Sequence, residues 1–252
     1  MDVVGHTRSR VARDHALITP DTHVPSPLLG WQNAKSFVHI SPEMGARFLQ
    51  YTAVLDANAT SKGPGSGIQR MAYVHSGSIQ IKIGNKSHKL DTGGFAYLPP
   101  DCKHSISTDQ NGSAKLIVFE KDYTTTRDSN EPPNPVVGNA NEIAGEPFMG
   151  DPDAILKTLL PISPEFDMAV NIFTYQPGAT LPQVEIHTME HGLMMIGGMG
   201  VYRLSDSYYP VADGDVIWMA SFCPQWFVAM GKQPASYIYY KDIHRDRLSE
   251  KD

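Results

Sequence analysis

The feature that most constrains the fold of this 252-residue chain is an internal repeat. When the second half is moved back by 121 positions, two glycines and one cysteine meet their own kind, and the register holds without a gap between them. The simplest explanation is two copies of one structural unit in tandem. The matching pairs are Gly77 with Gly198, Gly93 with Gly214 and Cys102 with Cys223.

Each copy is predicted to consist of short strands. Apolar and β-branched runs are separated by Gly, Pro, Asn and Asp, which is the pattern of strands joined by turns. We therefore predict an all-β chain of two tandem antiparallel β-barrels or jelly rolls, because closure hides strand edges and leaves an interior for a site. The strands predicted in the first copy cover residues 48–55, 71–74, 79–83, 95–98 and 116–119.

The copies are separated by a polar, proline-rich stretch at 124–147, which is typical of a linker. Asp151 can then cap a short helix over 151–157, with Pro152 at its first position. Helix is otherwise expected to be scarce. The predicted divisions are an N-terminal arm at 1–40, an N-terminal module at 41–123, the linker and short helix at 124–160, and a C-terminal module at 161–252.

The pattern with the clearest chemistry is the segment 185–191, Glu-Ile-His-Thr-Met-Glu-His. In an extended strand, Glu185, His187 and His191 leave on the same face, so three ligand-type side chains would converge. Imidazole nitrogen with carboxylate oxygen suits manganese, iron, nickel or zinc better than calcium. Glu190 has the opposite parity and is expected to point outward, beside the ligands or into solvent. The alternative is that these are surface polar residues of one strand.

Composition argues against several partners. The net charge of -6, without clustered Lys and Arg, argues against nucleic acid. No apolar run approaches the roughly 20 residues of a bilayer span, so no membrane is expected. Two cysteines cannot build a disulfide framework or a thiolate zinc cluster. The N-terminus has no apolar signal region, so the chain as given is expected in the cytoplasm.

These patterns resemble the cupin superfamily. The segment 178–198 has the glycines and the ligand spacing of the first cupin motif, with Glu185 in place of its first His and His191 in place of its usual Glu. The segment 214–225 resembles the second motif, with Gln225 where a His is usual. The chain therefore resembles a bicupin.

A closer resemblance, over about residues 5 to 245, is to the (S)-ureidoglycine aminohydrolases. It implies hydrolysis of (S)-ureidoglycine to (S)-ureidoglycolate and ammonia in allantoin and purine catabolism, the ureide pathway, with one Mn²⁺ per chain. A homo-oligomer is also expected, and a location in the endoplasmic reticulum if this is a trimmed plant-type protein. The segments that carry the resemblance are 13–20, 95–100, 190–192, 200–204, 214–219 and 240–242.

The same resemblance implies roles for seven residues. The metal ligands would be Glu185, His187, His191 and Gln225, and the residues that contact substrate and serve catalysis would be Tyr202, Tyr237 and Lys241.

The residues themselves support part of this assignment. Tyr237, Tyr239 and Lys241 alternate and so share one strand face. A lysine in line with interior positions is costly unless it meets an anion, such as a substrate carboxylate. The alternatives are a surface lysine whose stem covers apolar groups and tyrosines that only pack.

The first copy departs from the ligand pattern. Moving the four ligand positions back by 121 gives Pro64, Ser66, Arg70 and His104, of which only His104 can bind a metal. A fixed positive charge on Arg70 would also repel a divalent ion. We therefore predict a metal-free, structural N-terminal module with His104 as an interior histidine.

Two other functions fit a bicupin. A metal-dependent cupin oxygenase or decarboxylase is disfavoured by Gln225 and by the single intact site. A non-catalytic storage or ligand-binding bicupin has no need of four ligands in one module.

Overall fold

The computed structural model of the chain describes residues 6–27, 30–125 and 131–246, and within them nearly all regular structure is β. The prediction of an all-β fold with few short helices is confirmed. The described ranges contain two helices, both 3-10, at Pro20–Thr22 and Pro42–Met44. The strands are β1 Arg10–Val11, β2 His15–Ile18, β3 Trp31–Ile40, β4 Leu49–Lys62, β5 Ile68–Ile83, β6 Lys86–Asp91, β7 Gly94–Leu98, β8 His104–Ser107, β9 Ala114–Asp122, β10 Val136–Asn139, β11 Glu146–Phe148, β12 Asp151–Thr158, β13 Met168–Tyr175, β14 His191–Gly197, β15 Met199–Leu204, β16 Ser207–Ala212, β17 Val216–Met219, β18 Gln225–Met230 and β19 Ala235–Asp242.

The chain divides into two compact units. The N-terminal unit comprises Val24–Ile143 and Ser163–Asp167, and the C-terminal unit comprises Met1–His23, Ala144–Ile162 and Met168–Asp252. The predicted N-terminal arm is therefore not one element. Its first part adds β1 and β2 to the C-terminal unit, whereas β3 pairs with β4 in the N-terminal unit. The predicted linker and short helix at 124–160 is also divided: the part up to Ile143 belongs to the N-terminal unit, and the part from Ala144 belongs to the C-terminal unit.

The N-terminal unit is a closed barrel. Strands β4 and β5 each pair with both β8 and β9, so these four strands return on themselves. Two predicted strands, 71–74 and 79–83, are one continuous strand, β5, with a register shift between Val74 and Ser76. Gly77 follows this bulge with φ of 81°, and a Cβ there would lie 2.0 Å from the carbonyl oxygen of Ser113. The bend therefore requires glycine.

The C-terminal unit contains an eight-stranded sheet in the order β1-β2-β17-β14-β19-β13-β12-β11 and a three-stranded sheet in the order β16-β15-β18. The repeat-related Gly198 has φ of 72°, and a Cβ there would lie 2.3 Å from the carbonyl oxygen of Pro234. The same steric requirement thus explains both glycines. The core of this unit is rich in aromatic side chains, among them Tyr175, Tyr202, Phe227 and Tyr237.

The helix predicted over 151–157 is wrong, because this segment is strand β12. It pairs with β13 in a register that sets Ala154 opposite Tyr175, and Ala154 is fully buried. The Asp151 carboxylate accepts the backbone N–H of Asp153, a bond that fits a local turn as well as a helix cap. Pairing with β13 on one side and β11 on the other therefore outweighs the weak helix signal.

Two further findings bear on the sequence expectations. Cys102 and Cys223 are both free. Among the described residues, no helix is long and apolar enough to cross a membrane.

Candidate metal centre

The candidate ligands converge inside the C-terminal unit, although not from one continuous strand as predicted. Glu185 forms an isolated bridge with Gln225, the first residue of β18. His187 lies in an irregular segment, and His191 is the first residue of β14. The register of β14 with β19 places Lys241 opposite His191. The candidate ligands are therefore brought together by a loop and not by alternation along one strand.

The two histidines face each other through the same ring atom. Nε2 of His187 and Nε2 of His191 are 3.1 Å apart. The Nδ1 atoms lie 3.1 Å from the carbonyl oxygen of Met189 and 3.3 Å from that of Tyr240, respectively. A carbonyl only accepts, so each ring carries its proton on Nδ1 and a lone pair on Nε2. Two lone pairs directed at each other repel, so this arrangement fits a cation between them.

Gln225 completes a polar ring around this point. Its side-chain Nε2 donates to Nε2 of His187 at 2.8 Å, and its Oε1 accepts from the hydroxyl of Tyr202 at 3.2 Å. The residue is almost fully buried. An amide binds a metal through its oxygen, so an ion beside His187 requires the Gln225 amide to turn, with Oε1 toward the ion and Nε2 donating to the hydroxyl oxygen of Tyr202.

Glu185 stands slightly apart from the imidazoles. It lines the same cavity, but its carboxylate and the two ring donors of His187 and His191 do not all lie within 4.8 Å of one another in the described structure. Burial raises the pKa of Glu185, and the charge of Lys241 opposes that rise. A cation at the imidazoles would favour the ionised carboxylate further.

Electrostatics around the centre favour neutral imidazoles. Burial lowers the pKa of His187, and it lowers the pKa of His191 to about 3, with smaller contributions from the positive charges of neighbouring groups including Lys241. Burial also lowers the pKa of Lys241, while Glu185 raises it. Neutral imidazole is the form that binds metal, so the site needs little proton release to accept an ion.

A cavity of about 140 Å³ opens beside the candidate ligands. The three residues predicted to contact substrate, Tyr202, Tyr237 and Lys241, all line it, so the structure brings them together with the ligand set. Burial raises the pKa values of Tyr202 and Tyr237 well above their usual range, so both hydroxyls keep their protons. The lining also includes Phe148, Leu156, Phe173, Leu181, Glu185, His187, Met189, His191, Leu193, Met219, Gln225 and Tyr239.

Sequence reasoning missed several of these contributions. Phe148 and Leu156 come from β11 and β12, in the segment predicted as linker and helix. Phe148 packs edge-on against Phe173 with ring centroids 4.9 Å apart. The hydroxyl of Tyr175 lies 3.2 Å from that of Tyr237 and so orients it. The short apolar run Ala-Ile-Leu at 154–156, bounded by polar residues, is the one signal that could have indicated a strand here.

The expectation that Glu190 points outward, beside the ligands or into solvent, is partly wrong. Glu190 does point away from the cavity, but it is 1% exposed, and its carboxylate accepts the indole N–H of Trp218 at 2.8 Å. Its backbone N–H donates to the carboxylate of Asp242. These contacts fix the chain immediately before His191.

The N-terminal unit has a different arrangement at the repeat-related positions. Arg70 is 2% exposed, its Nε donates to Glu120 at 2.6 Å, and Tyr51 donates to the same carboxylate oxygen at 2.8 Å. Another guanidinium nitrogen of Arg70 lies 3.3 Å from Nε2 of His104, whose Nδ1 donates to the carbonyl oxygen of Cys102. A guanidinium therefore stands beside this imidazole where the C-terminal unit has the ligand set, which fits the prediction of a metal-free module.

Known proteins similar to this chain include two plant relatives. A probable (S)-ureidoglycine aminohydrolase of Oryza sativa subsp. japonica is 42% identical over 251 residues, which is 98% of this chain and 79% of the relative. The (S)-ureidoglycine aminohydrolase of Arabidopsis thaliana is 39% identical over 98% of this chain and 82% of the relative. No protein-family model matches the chain.

Solved structures give the same picture of the fold. The crystal structure of protein Ylba from E. coli is 32% identical, has a TM-score of 0.85 and covers 96% of each chain. Oxalate decarboxylase of Bacillus subtilis, a protein with Mn(II) centres, has a TM-score of 0.67 at 13% identity over 91% of this chain and 78% of its own. At that identity the likeness concerns the fold alone. The predicted bicupin architecture is confirmed.

Proposed function

This chain belongs to the (S)-ureidoglycine aminohydrolase family, and we propose that it hydrolyses (S)-ureidoglycine to (S)-ureidoglycolate and ammonia at a site that holds one Mn²⁺. Relatives of that name at 42% and 39% identity support the reaction. The single observation that carries the metal is the pair of imidazole Nε2 atoms 3.1 Å apart, both with lone pairs directed inward.

The donor set suits a hard or borderline ion. Glu185, His187, His191 and Gln225 offer two oxygens and two nitrogens without sulfur, a combination that fits manganese better than a thiolate-seeking ion. A bound Mn²⁺ would supply a positive charge that polarises substrate oxygen or nitrogen atoms and stabilises charge that develops during the reaction.

Different side chains of the cavity can bind different groups of the substrate. Lys241 is the one lysine or arginine among the described residues that line the cavity, so its ammonium would bind the carboxylate. The hydroxyls of Tyr202 and Tyr237 stay protonated and would donate to the ureido oxygen. A cavity of about 140 Å³ admits a small molecule, and the apolar wall limits the water that can enter.

In this reaction the carbon that carries the amine loses its bond to that nitrogen and gains a bond to a water oxygen. The ureido nitrogen on the same carbon assists departure of the amine, which leaves as ammonia with a proton from water. Held by Lys241 and the tyrosines, the substrate exposes one face of this carbon, which accounts for action on the S isomer.

The test combines metal analysis with ammonia release from freshly generated (S)-ureidoglycine. Wild-type protein should hold one manganese per chain and release ammonia well above the spontaneous rate. His187→Ala should lose both properties, because one of four ligands is removed, and the repeat-related variant His104→Ala should keep both. Metal-loaded protein that matches the spontaneous rate would refute the reaction, and oxygen uptake in place of ammonia release would indicate an oxygenase.

Metal loss on His104→Ala, or two manganese ions per chain, would contradict the assignment of the ion to the C-terminal unit. A role in allantoin catabolism, a homo-oligomeric state and a cytoplasmic location stay predictions.

A further inference from the structure

A second group of ligand-type side chains lies in the C-terminal unit, outside the cavity described above. It is formed by Asp14, His15 and Cys223, whose donor atoms all lie within 4.8 Å of one another. His15 and Cys223 are each 4% exposed, while the side chain of Asp14 is 38% exposed. Two of the three side chains are thus buried, and the third is partly exposed to solvent.

Backbone pairing fixes the position of this group. His15 is the first residue of β2 and lies opposite Met219, the last residue of β17. The carbonyl oxygen of Asp14 accepts the N–H of Ala220 at 2.9 Å, and the carbonyl oxygen of Ala220 accepts the N–H of Cys223 at 3.1 Å. The two chain segments are therefore held together by main-chain bonds that do not depend on the three side chains.

Outer contacts already orient two of the side chains as in metal sites. The His15 Nε2 lies 2.8 Å from the hydroxyl of Tyr209, while its other ring nitrogen, Nδ1, faces the Asp14 Oδ1 within the group itself at 2.8 Å. The second carboxylate oxygen of Asp14 accepts from the hydroxyl of Ser205 at 3.0 Å. Ligating histidines and carboxylates are commonly held by such partners on the side away from the metal.

We propose that Asp14, His15 and Cys223 bind one divalent cation of the soft to borderline class, with Zn²⁺ and Co²⁺ as its representatives. The ligand atoms are Sγ of Cys223, Nδ1 of His15 and a carboxylate oxygen of Asp14, with water in the remaining position. The thiol releases its proton to solvent on binding. The imidazole keeps one proton, which moves from Nδ1 to Nε2, so that the Nε2–H donates a hydrogen bond to the hydroxyl oxygen of Tyr209.

Ligand chemistry separates this cation from the one at the cavity. Thiolate prefers zinc or cobalt to manganese, whereas the four candidate ligands at the cavity offer only oxygen and nitrogen. One Mn²⁺ per chain and one softer ion per chain are therefore compatible. Cys223 precedes Gln225, a candidate ligand of the first site, by two residues. The softer ion would therefore link β2 to the turn that leads into Gln225.

The test uses Co²⁺ alone as the probe, added to the metal-free protein. A thiolate-to-cobalt charge-transfer absorption reports coordination by a cysteine, and no cysteine is among the described residues that line the cavity. We expect this absorption to saturate at one equivalent in His187→Ala, which lacks the first site, and at no more than two equivalents in wild type, where the cavity also binds Co²⁺. Cys223→Ser should abolish it, and the matched variant Cys102→Ser should keep it.

Two further variants keep the test decisive if Cys223→Ser does not fold. His15→Gln should abolish the absorption, and Tyr209→Phe, which removes only an outer partner, should weaken Co²⁺ binding about 10- to 100-fold. Circular dichroism establishes that each variant is folded. Absence of the absorption in folded wild type, its persistence in folded Cys223→Ser or His15→Gln, or its loss in Cys102→Ser would overturn the proposal. Because none of these readouts is ammonia release, they are independent of the proposed reaction.

Discussion

Replacing Lys241 by Met separates substrate binding from metal binding. Lys241 is half-buried on β19, faces the cavity and lies opposite His191 in the sheet register. Methionine has nearly the same length and keeps the apolar stem contacts, so the variant removes the ammonium and little else. We expect Lys241→Met to lose activity while it retains the metal.

The size of the effect follows from the contact that is lost. A hydrogen bond to a charged group contributes roughly 1.5 to 3 kcal/mol, which is about a ten- to hundredfold change in affinity or rate. Metal retention follows from charge. The positive charge of Lys241 lowers the pKa values of His187 and His191, and a charge that repels protons also repels a metal cation. Its removal therefore does not weaken the metal site.

The assay measures ammonia release over a range of (S)-ureidoglycine concentrations together with manganese content. Lys241→Met should show kcat/KM about ten- to a hundredfold lower, mostly through a higher KM if the ammonium binds the ground-state carboxylate. Lys232→Met is the matched control, since Lys232 is exposed in the turn between β18 and β19. Unchanged kcat/KM would remove Lys241 from the site, and loss of manganese would show that it supports the ligands instead.

Two further predictions concern stability. Arg70→Met should lower the free energy of unfolding by about 3 to 5 kcal/mol in denaturant titration, because it leaves the Glu120 carboxylate without its cation. Lys89→Met, which breaks a surface ion pair, should cost at most about 1 kcal/mol. Equal losses would contradict a buried ion pair. In the metal-free protein, His187 and His191 have folded-state pKa values below the unfolded value of about 6.5. Their contribution to stability is therefore present above that pH and is lost as the pH falls toward the folded values. The loss is up to about 1.4 kcal/mol per pH unit for each histidine. His191→Gln should make this decline shallower between about pH 6 and 4, and an unaltered slope would show that the imidazole is not kept neutral by burial.

The sequence was sufficient for the fold class and for the grouping of the candidate ligands. Positive-φ glycines at close backbone approaches, such as Gly77 and Gly198, carry the repeat, and their steric requirement does not depend on distant contacts. Ligand spacing in the segment 185–191 is equally local. The prediction nevertheless assumed a strand there, whereas the structure forms a loop that ends at the first residue of β14.

The parts that could not be predicted depend on pairing between distant segments. Pro152 and Asp151 are compatible with a helix start, and only the ladder with β13 makes them part of a strand. Phe148 reaches the cavity because β11 is the edge strand beyond β12. The burial of Glu190 depends on Trp218, which is 28 positions away in sequence. Such contacts leave no periodic signal in the sequence.

The guanidinium of Arg70 has a consequence for how the protein meets metal shortage. The guanidinium is covalently part of the N-terminal barrel. A chelator therefore cannot remove its positive charge, and the cell does not need to import it. The carboxylate of Glu120 and the imidazole of His104 therefore keep their cationic neighbour whatever the manganese supply. Under the proposed manganese dependence, a shortage of the ion would therefore remove the cation of the C-terminal unit and leave the cation of the N-terminal barrel in place.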